Sequence, residues 1–170
     1  DYKKIIDTHK FVEIEKNKQI IKETTKKIEE VSQKILETGQ KIVNNSKYLS
    51  VVKEKFNVIE KNKEIMKKYE SKTILKPIYY KANKEKIENY KEAKNFLTKQ
   101  KINDVKTLEK KVEKTNNNLQ VKKNELIKKN EELKKITTKS LTNLKKLEKP
   151  LELAKYAMNP MKIVELAQRK

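Results

Sequence analysis

The chain has 170 residues, of which 40% are charged and 35% hydrophobic, and a formal charge of +20. That length suits about one domain, and so polar a composition is poor for a globular core but normal for a coiled coil. One glycine (Gly39), three prolines (Pro77, Pro150, Pro160) and no cysteine exclude a turn-rich sheet protein, a disulfide framework and a thiolate metal site.

No apolar run approaches the roughly 20 residues of a membrane span. No charged n-region followed by an apolar h-region opens the chain, so no signal peptide is expected. The expectation is an intracellular or cytoplasm-facing, all-α protein.

Residues 1–70 read as one long helix. Ile14, Ile21, Ile28, Ile35, Ile42, Leu49 and Phe56 recur every seven residues without a break. A sustained heptad lays an apolar stripe along one helix face, and that stripe needs a partner. The seam position three residues on holds Val31, Val52 and Ile59 but also Asn17, Thr24, Thr38 and Asn45, so this seam is half polar. Polar seam residues weaken a coiled coil but fix its register and orientation. Ile20, Leu36, Val43, Val51 and Val58 widen the stripe. Gly39 disfavours a helix interior by about 1 kcal/mol, yet the heptad phase runs through it, which predicts a bend at most.

Residues 71–103 form the turn. Pro77 disfavours helix at Lys76 and suits the first position of a new helix. Ile78, Tyr79, Ala82, Ile87, Tyr90, Ala93, Phe96 and Leu97 then fit one or two short amphipathic helices. The connector 98–103 follows, with Asn103 or Asp104 as N-cap of the next helix.

That return helix spans 104–149 and stops at Pro150. Its heptad stripe is Val105, Val112, Leu119, Leu126 and Leu133, then Ser140 and Leu147. The second seam position is read three residues on, at Leu108, Thr115, Lys122, Lys129, Ile136 and Asn143. Lysines there would snorkel to the seam edge. The tail 150–170 reads as two short helical pieces, 151–158 and 161–168, divided by Asn159 and Pro160. The two stripes predict an antiparallel helical hairpin, one elongated domain in which Val105–Leu147 lies beside Phe56 back to Ile14.

Little in the sequence carries chemistry. His9 is the single histidine, too few for a several-histidine metal site. Neighbouring carboxylates such as Glu29 with Glu30 and Glu131 with Glu132 point in different directions on a helix. There is no glycine-rich phosphate loop and no serine–histidine–acid set. No catalytic, cofactor-binding or metal-binding residue is expected, and no enzyme.

The charge has two readings. A polyanion partner, nucleic acid or an acidic membrane surface, is the functional one. The plainer one is that lysine, asparagine and isoleucine are overproduced by AT-rich genomes. Arg169 is the single arginine, which disfavours bidentate readout of guanine, so any DNA contact is expected to be non-specific and to phosphates. The candidate polyanion contacts are Lys76, Tyr79, Tyr80, Lys81, Lys84 and Lys86, where aromatic rings lie among lysines and could stack single-stranded bases. The plainer reading of the rings, and the favoured one, is a small hydrophobic cap where the long helices turn.

Residues 70–136 also carry a resemblance. Lys76-Pro77-Ile78-Tyr79 is followed by a charged stretch and by Tyr90-Lys91-Glu92-Ala93-Lys94-Asn95-Phe96-Leu97. After a linker, Val105-Lys106-Thr107-Leu108 opens a Lys/Glu-rich helix with Leu119, Glu125-Leu126 and Glu132-Leu133. This order resembles the C-terminal helical region of relaxases, the mobilisation proteins of conjugative elements in low-GC Gram-positive bacteria. The chain departs from that pattern at Asn103, where the family often has proline, and lacks the usual arginine- and histidine-containing stretch in the turn. The resemblance implies a cytoplasmic accessory module, separate from the nicking domain, that binds DNA, transfer machinery or another subunit. Without it, the alternative is a structural or adhesive coiled coil, such as a parasite surface ligand, working through protein contacts. A protein partner is expected on either reading, and a homodimer is one form it can take.

Overall fold

The computed structural model describes the backbone of residues 2–155 and the side chains of residues 2–147. The fold is an all-α helical hairpin in which α1 (Tyr2–Ser71) packs against α4 (Val105–Lys155). Between them lie α2 (Lys76–Ala82) and α3 (Lys84–Lys99). The helix runs through Gly39 without a stop or a positive φ. Contacts group the chain into two compact units, Glu37–Lys122 and Asp1–Leu36 with Lys123–Lys170, where the heptads predict one domain. Residues in a two-helix seam touch only what lies opposite them, so contacts stay local.

In the unit Glu37–Lys122, Asn45 Nδ2 donates to Asn116 Oδ1 at 3.0 Å, and Lys53 pairs with Glu109 at 3.1 Å. Going up α1 goes down α4, so these segments are antiparallel. A third helix joins them. Val52 and Ile87 are 0% exposed, and Ala93 and Leu97 are also buried. Lys55 of α1 lies 5.5 Å from the Phe96 ring centroid, and Tyr48 Oη donates to Gln100 Oε1 at 3.0 Å. Beyond Phe56 the buried position moves to Asn62, out of the heptad phase. The physical cause is the change of partner: α1 now faces α3, and its amide folds back onto the Val58 carbonyl at 3.0 Å.

The ends of these helices follow local chemistry. Pro77 sits in the first turn of α2, as its fixed φ allows. Asn83 separates α2 from α3, and its side-chain amide donates to the Tyr79 carbonyl at 3.1 Å. At the end of α3, Lys101 adopts φ 57. The Ile102 N–H reaches the Leu97 carbonyl at 2.9 Å and the Lys101 N–H reaches that of Thr98 at 3.1 Å, the Schellman closure usually built on glycine. Asp104 is the cap of α4. Its carboxylate accepts the Lys106 N–H at 3.1 Å and the Thr107 hydroxyl at 3.0 Å. The Lys106 bond first, then that of Thr107, holds Asp104 below its ordinary 3.8.

In the unit Asp1–Leu36 with Lys123–Lys170, α1 and α4 again run antiparallel. The Thr137 hydroxyl donates to Thr24 Oγ1 at 2.7 Å, and Thr24 passes its own proton to the Ile20 carbonyl at 2.8 Å. Asn130 Nδ2 donates to Ser32 Oγ at 2.9 Å, while its Oδ1 is buried without a partner. Leaving a buried acceptor unpaired costs about 1–3 kcal/mol. In both units these pairs keep the register read from the heptads, with Ile14 level with Leu147 and Phe56 level with Val105.

The seam is layered. Ile14 is buried, and Ile21, Ile28, Ile35, Ile42, Leu49 and Phe56 are half-buried. The deeper position is the half-polar one: Asn17, Thr24, Val31, Thr38 and Val52 are all buried. Small side chains there let the two backbones approach, which closes water out more fully than a larger side chain at the edge. On α4, Leu133 and Ser140 are buried and Val105, Val112, Leu119, Leu126 and Leu147 half-buried.

Three expectations need correction. From Val112 on, the second seam position of α4 lies four residues after each stripe residue, not three, while Leu108, three after Val105, is half-buried as expected. Asn116, Lys123, Asn130, Thr137 and Leu144 line it, whereas Thr115, Lys122, Lys129, Ile136 and Asn143 are exposed. Both candidate positions were mostly polar, so hydrophobicity had no power to choose between them. The expected helix end at Pro150 is not a stop, since α4 continues to Lys155. A proline forfeits one backbone hydrogen bond, and the strong helix formers on either side (Glu148, Lys149, Leu151, Glu152) carry the backbone on. The stripe-widening residues Leu36, Val43 and Val51 are exposed, because a two-helix seam covers only a narrow stripe. The expected helix 151–158 falls inside α4 up to Lys155, and the piece 161–168 lies outside the described residues.

Leu133→Ala should destabilise the hairpin by about 2–3 kcal/mol, because it empties a buried seam position. Lys129→Leu should leave the melting temperature nearly unchanged, because Lys129 is exposed. Thermal melts followed by circular dichroism separate the two. A gain from Lys129→Leu would return that position to the seam.

Candidate functional site

The residues 71–103 hold nine lysines and three glutamates. Such an excess at a helical turn is held apart only if something spaces the charges. Here aromatic rings do. Tyr69 at the end of α1 packs on Tyr80 of α2, with ring centroids 5.9 Å apart and planes tilted by 45°. Lys76 Nζ lies 5.0 Å from the Tyr69 centroid. Lys91 of α3 stands between the two rings, 5.3 Å from Tyr69 and 5.8 Å from Tyr80. Lys72 lies 5.8 Å from Tyr79, and Lys94 5.8 Å from Tyr90. A cation over an exposed ring is worth about 0.5–1 kcal/mol, so each of these contacts favours the turn modestly.

Tyr80 is further tied to α3, since its hydroxyl donates to Glu88 Oε1 at 2.6 Å. That hydrogen bond, with desolvation and the Glu88 and Tyr69 charges in support, raises the Tyr80 phenol above its ordinary 10.0. A raised phenol favours the folded state at neutral pH, and the contribution is lost as pH climbs through the folded value.

The predicted contacts therefore divide. Lys76, Tyr79 and Tyr80 come together in the ring cluster and are half-buried. Lys81, Lys84 and Lys86 stand exposed outside it. Sequence reasoning missed Tyr69, at the end of α1, and Lys72, at the start of the turn, which meet α2 only because the chain reverses there. The spacing of Tyr69 from Tyr80 across a proline-marked break was the available signal. Lysine ammonium groups sit over the rings at the turn. For a base to stack on Tyr69 or Tyr80 it would first have to displace Lys76 or Lys91.

Among the described residues, no group of three or more metal-ligating side chains comes together, and no helix is long and apolar enough to cross a membrane. His9 is exposed on α1. No protein-family model matches the chain, and no curated protein or solved structure matches it either.

An alkaline titration of tyrosine absorbance should show one phenol ionising above the ordinary value. Glu88→Gln should bring the Tyr80 phenol down towards its ordinary value. An identical titration curve for the two proteins would break the assignment of the Tyr80–Glu88 bond.

Proposed function

We propose that this chain is a non-catalytic interaction module that binds the phosphates of DNA without reading base sequence. The observation that carries the proposal is the set Lys81, Lys84 and Lys86, exposed beside a ring cluster that already occupies its own lysines. Exposed lysines on short, packed helices are point charges with freedom to follow a phosphate backbone. Covered ring faces favour phosphate contact over base stacking. The resemblance of 76–97 and 105–133 to relaxase C-terminal regions names DNA as the polyanion. It makes the chain the accessory region of a mobilisation protein, in contact with DNA or with transfer machinery. Catalysis is left out of the proposal because the one histidine is exposed and far in sequence from the basic turn.

A second reading is a structural or adhesive coiled coil acting through protein contacts. It is favoured by Tyr2, Ile5, Ile6, Phe11 and Val12, which leave apolar surface exposed at the start of α1. On that reading the lysines are compositional and DNA binding is absent.

Binding to duplex and single-stranded DNA across a salt series separates the two. Affinity should be similar for unrelated sequences and fall steeply with salt, as phosphate contacts release counterions. Replacing Lys81, Lys84 and Lys86 together with glutamine should weaken binding and flatten the log–log salt slope by up to about one unit per lost contact. Binding no tighter than that of a scrambled lysine-rich helix at physiological salt would remove DNA and leave the protein-contact reading.

A further inference from the structure

The turn between α1 and α2 has a property that phosphate binding does not use. Ile74 is 90% exposed, Leu75 57% and Ile78 68%. Three aliphatic side chains in five residues face solvent at a turn, where polar residues and glycine are the usual choice. They are not surplus from the seam, whose heptad ends at Phe56 opposite Val105. The same stretch is uniformly basic. From Lys72 to Lys84 there are four lysines and no acidic residue. Tyr79 and Tyr80 follow at once, half-buried against the rest of the turn.

We propose that this turn docks on an acidic lipid surface, with Ile74, Leu75 and Ile78 entering the boundary between headgroups and acyl chains. Lys81 and Lys84, exposed on the same stretch, meet the lipid phosphates. The favoured occupant follows from the coincidence of two signals. Aliphatic side chains alone would suit any apolar groove, and lysines alone any polyanion. Their mixture in one short stretch, with amphipathic lysine stems and tyrosines beside the aliphatics, matches the layering of a membrane interface. A modest apolar contact joined to a basic cluster is also the combination that gives stable but reversible peripheral binding. DNA offers phosphates but nothing apolar on its outside for the three aliphatics. The inference therefore goes beyond the DNA reading and does not depend on it.

Local contacts hold the turn together. Lys76 stacks on Tyr69 and Lys72 on Tyr79, so the turn needs little ordering on contact. Pro77 fixes the start of α2, and Tyr80 ties α2 to α3 through Glu88.

Flotation of the full chain with phosphatidylcholine vesicles, with and without phosphatidylglycerol, tests the proposal. The wild type should float with the acidic vesicles and bind neutral ones at least about tenfold more weakly. The triple variant Ile74→Ser/Leu75→Ser/Ile78→Ser should lose about tenfold or more of its affinity for the acidic vesicles. Because these side chains are exposed, its circular-dichroism melt and its DNA affinity should match the wild type. The chain has no tryptophan, so Ile78→Trp supplies a single reporter whose emission should shift to the blue on acidic vesicles alone. Wild-type-like flotation of the triple variant would overturn the proposal by reducing binding to charge. So would a wild type that ignores acidic vesicles, or a triple variant that loses DNA and vesicles equally. Loss of DNA binding by the Lys81/Lys84/Lys86 variant bears on the other reading and leaves the aliphatic contact standing.

Discussion

Everything in this chain depends on how two long polar helices find a fixed register with so little apolar material. The solution is a seam of alternating layers. Isoleucines and leucines at the heptad positions supply contact area, and between them small or polar side chains sit deepest. Thr24 with Thr137, and Asn45 with Asn116, join across the seam by hydrogen bonds. A one-heptad slip would still pair apolar residues with apolar residues. It would break those hydrogen bonds, setting Thr24 opposite Asn130 or Leu144 and Asn45 opposite Glu109 or Lys123. Apolar layers thus make association favourable, while polar layers make one alignment the best.

The same arrangement explains which parts of the fold were legible beforehand. A break-free heptad from Ile14 to Phe56 and another from Val105 are enough to read two helices, and Pro77 marks where the first gives way. Equal stripe lengths on either side of the turn then imply the register. The phase of α4 was not legible, because Lys122 and Lys129 on one side and Lys123 and Asn130 on the other look alike to any hydrophobicity argument. Only the partner helix decides. Nor was the Lys101 closure of α3 readable, since a lysine in the left-handed region carries no signature that glycine or asparagine would. Pro150 misled for the opposite reason: its local rule is real, but the helix formers around it outweigh one lost hydrogen bond.

Charge and aromatic rings concentrate where the seam lets go. Along the seam most lysines are exposed, with Lys123 half-buried at the second seam position and Lys53 paired with Glu109. At the turn between α1 and α3, lysines, tyrosines and exposed aliphatics are gathered into about thirty residues, spaced by cation–ring contacts. Sequence reasoning found half of this cluster, the part that follows Pro77. The part supplied by Tyr69 and Lys72 depends on chain reversal, which a residue-by-residue scan does not encode. The turn presents two kinds of surface. Charge is available to phosphates on α2 and α3, and apolar surface is available at Ile74, Leu75 and Ile78.

The layered register is open to a direct chemical test, because the chain contains no cysteine of its own. Thr24→Cys with Thr137→Cys places two thiols at a native hydrogen-bonded pair, and Thr24→Cys with Asn130→Cys places them one heptad out. Mild oxidation should close the first pair rapidly within a single chain, seen as a faster monomer band on a non-reducing gel, and should leave the second pair open. Equal closure of both pairs, or closure of the first only between chains, would contradict the account.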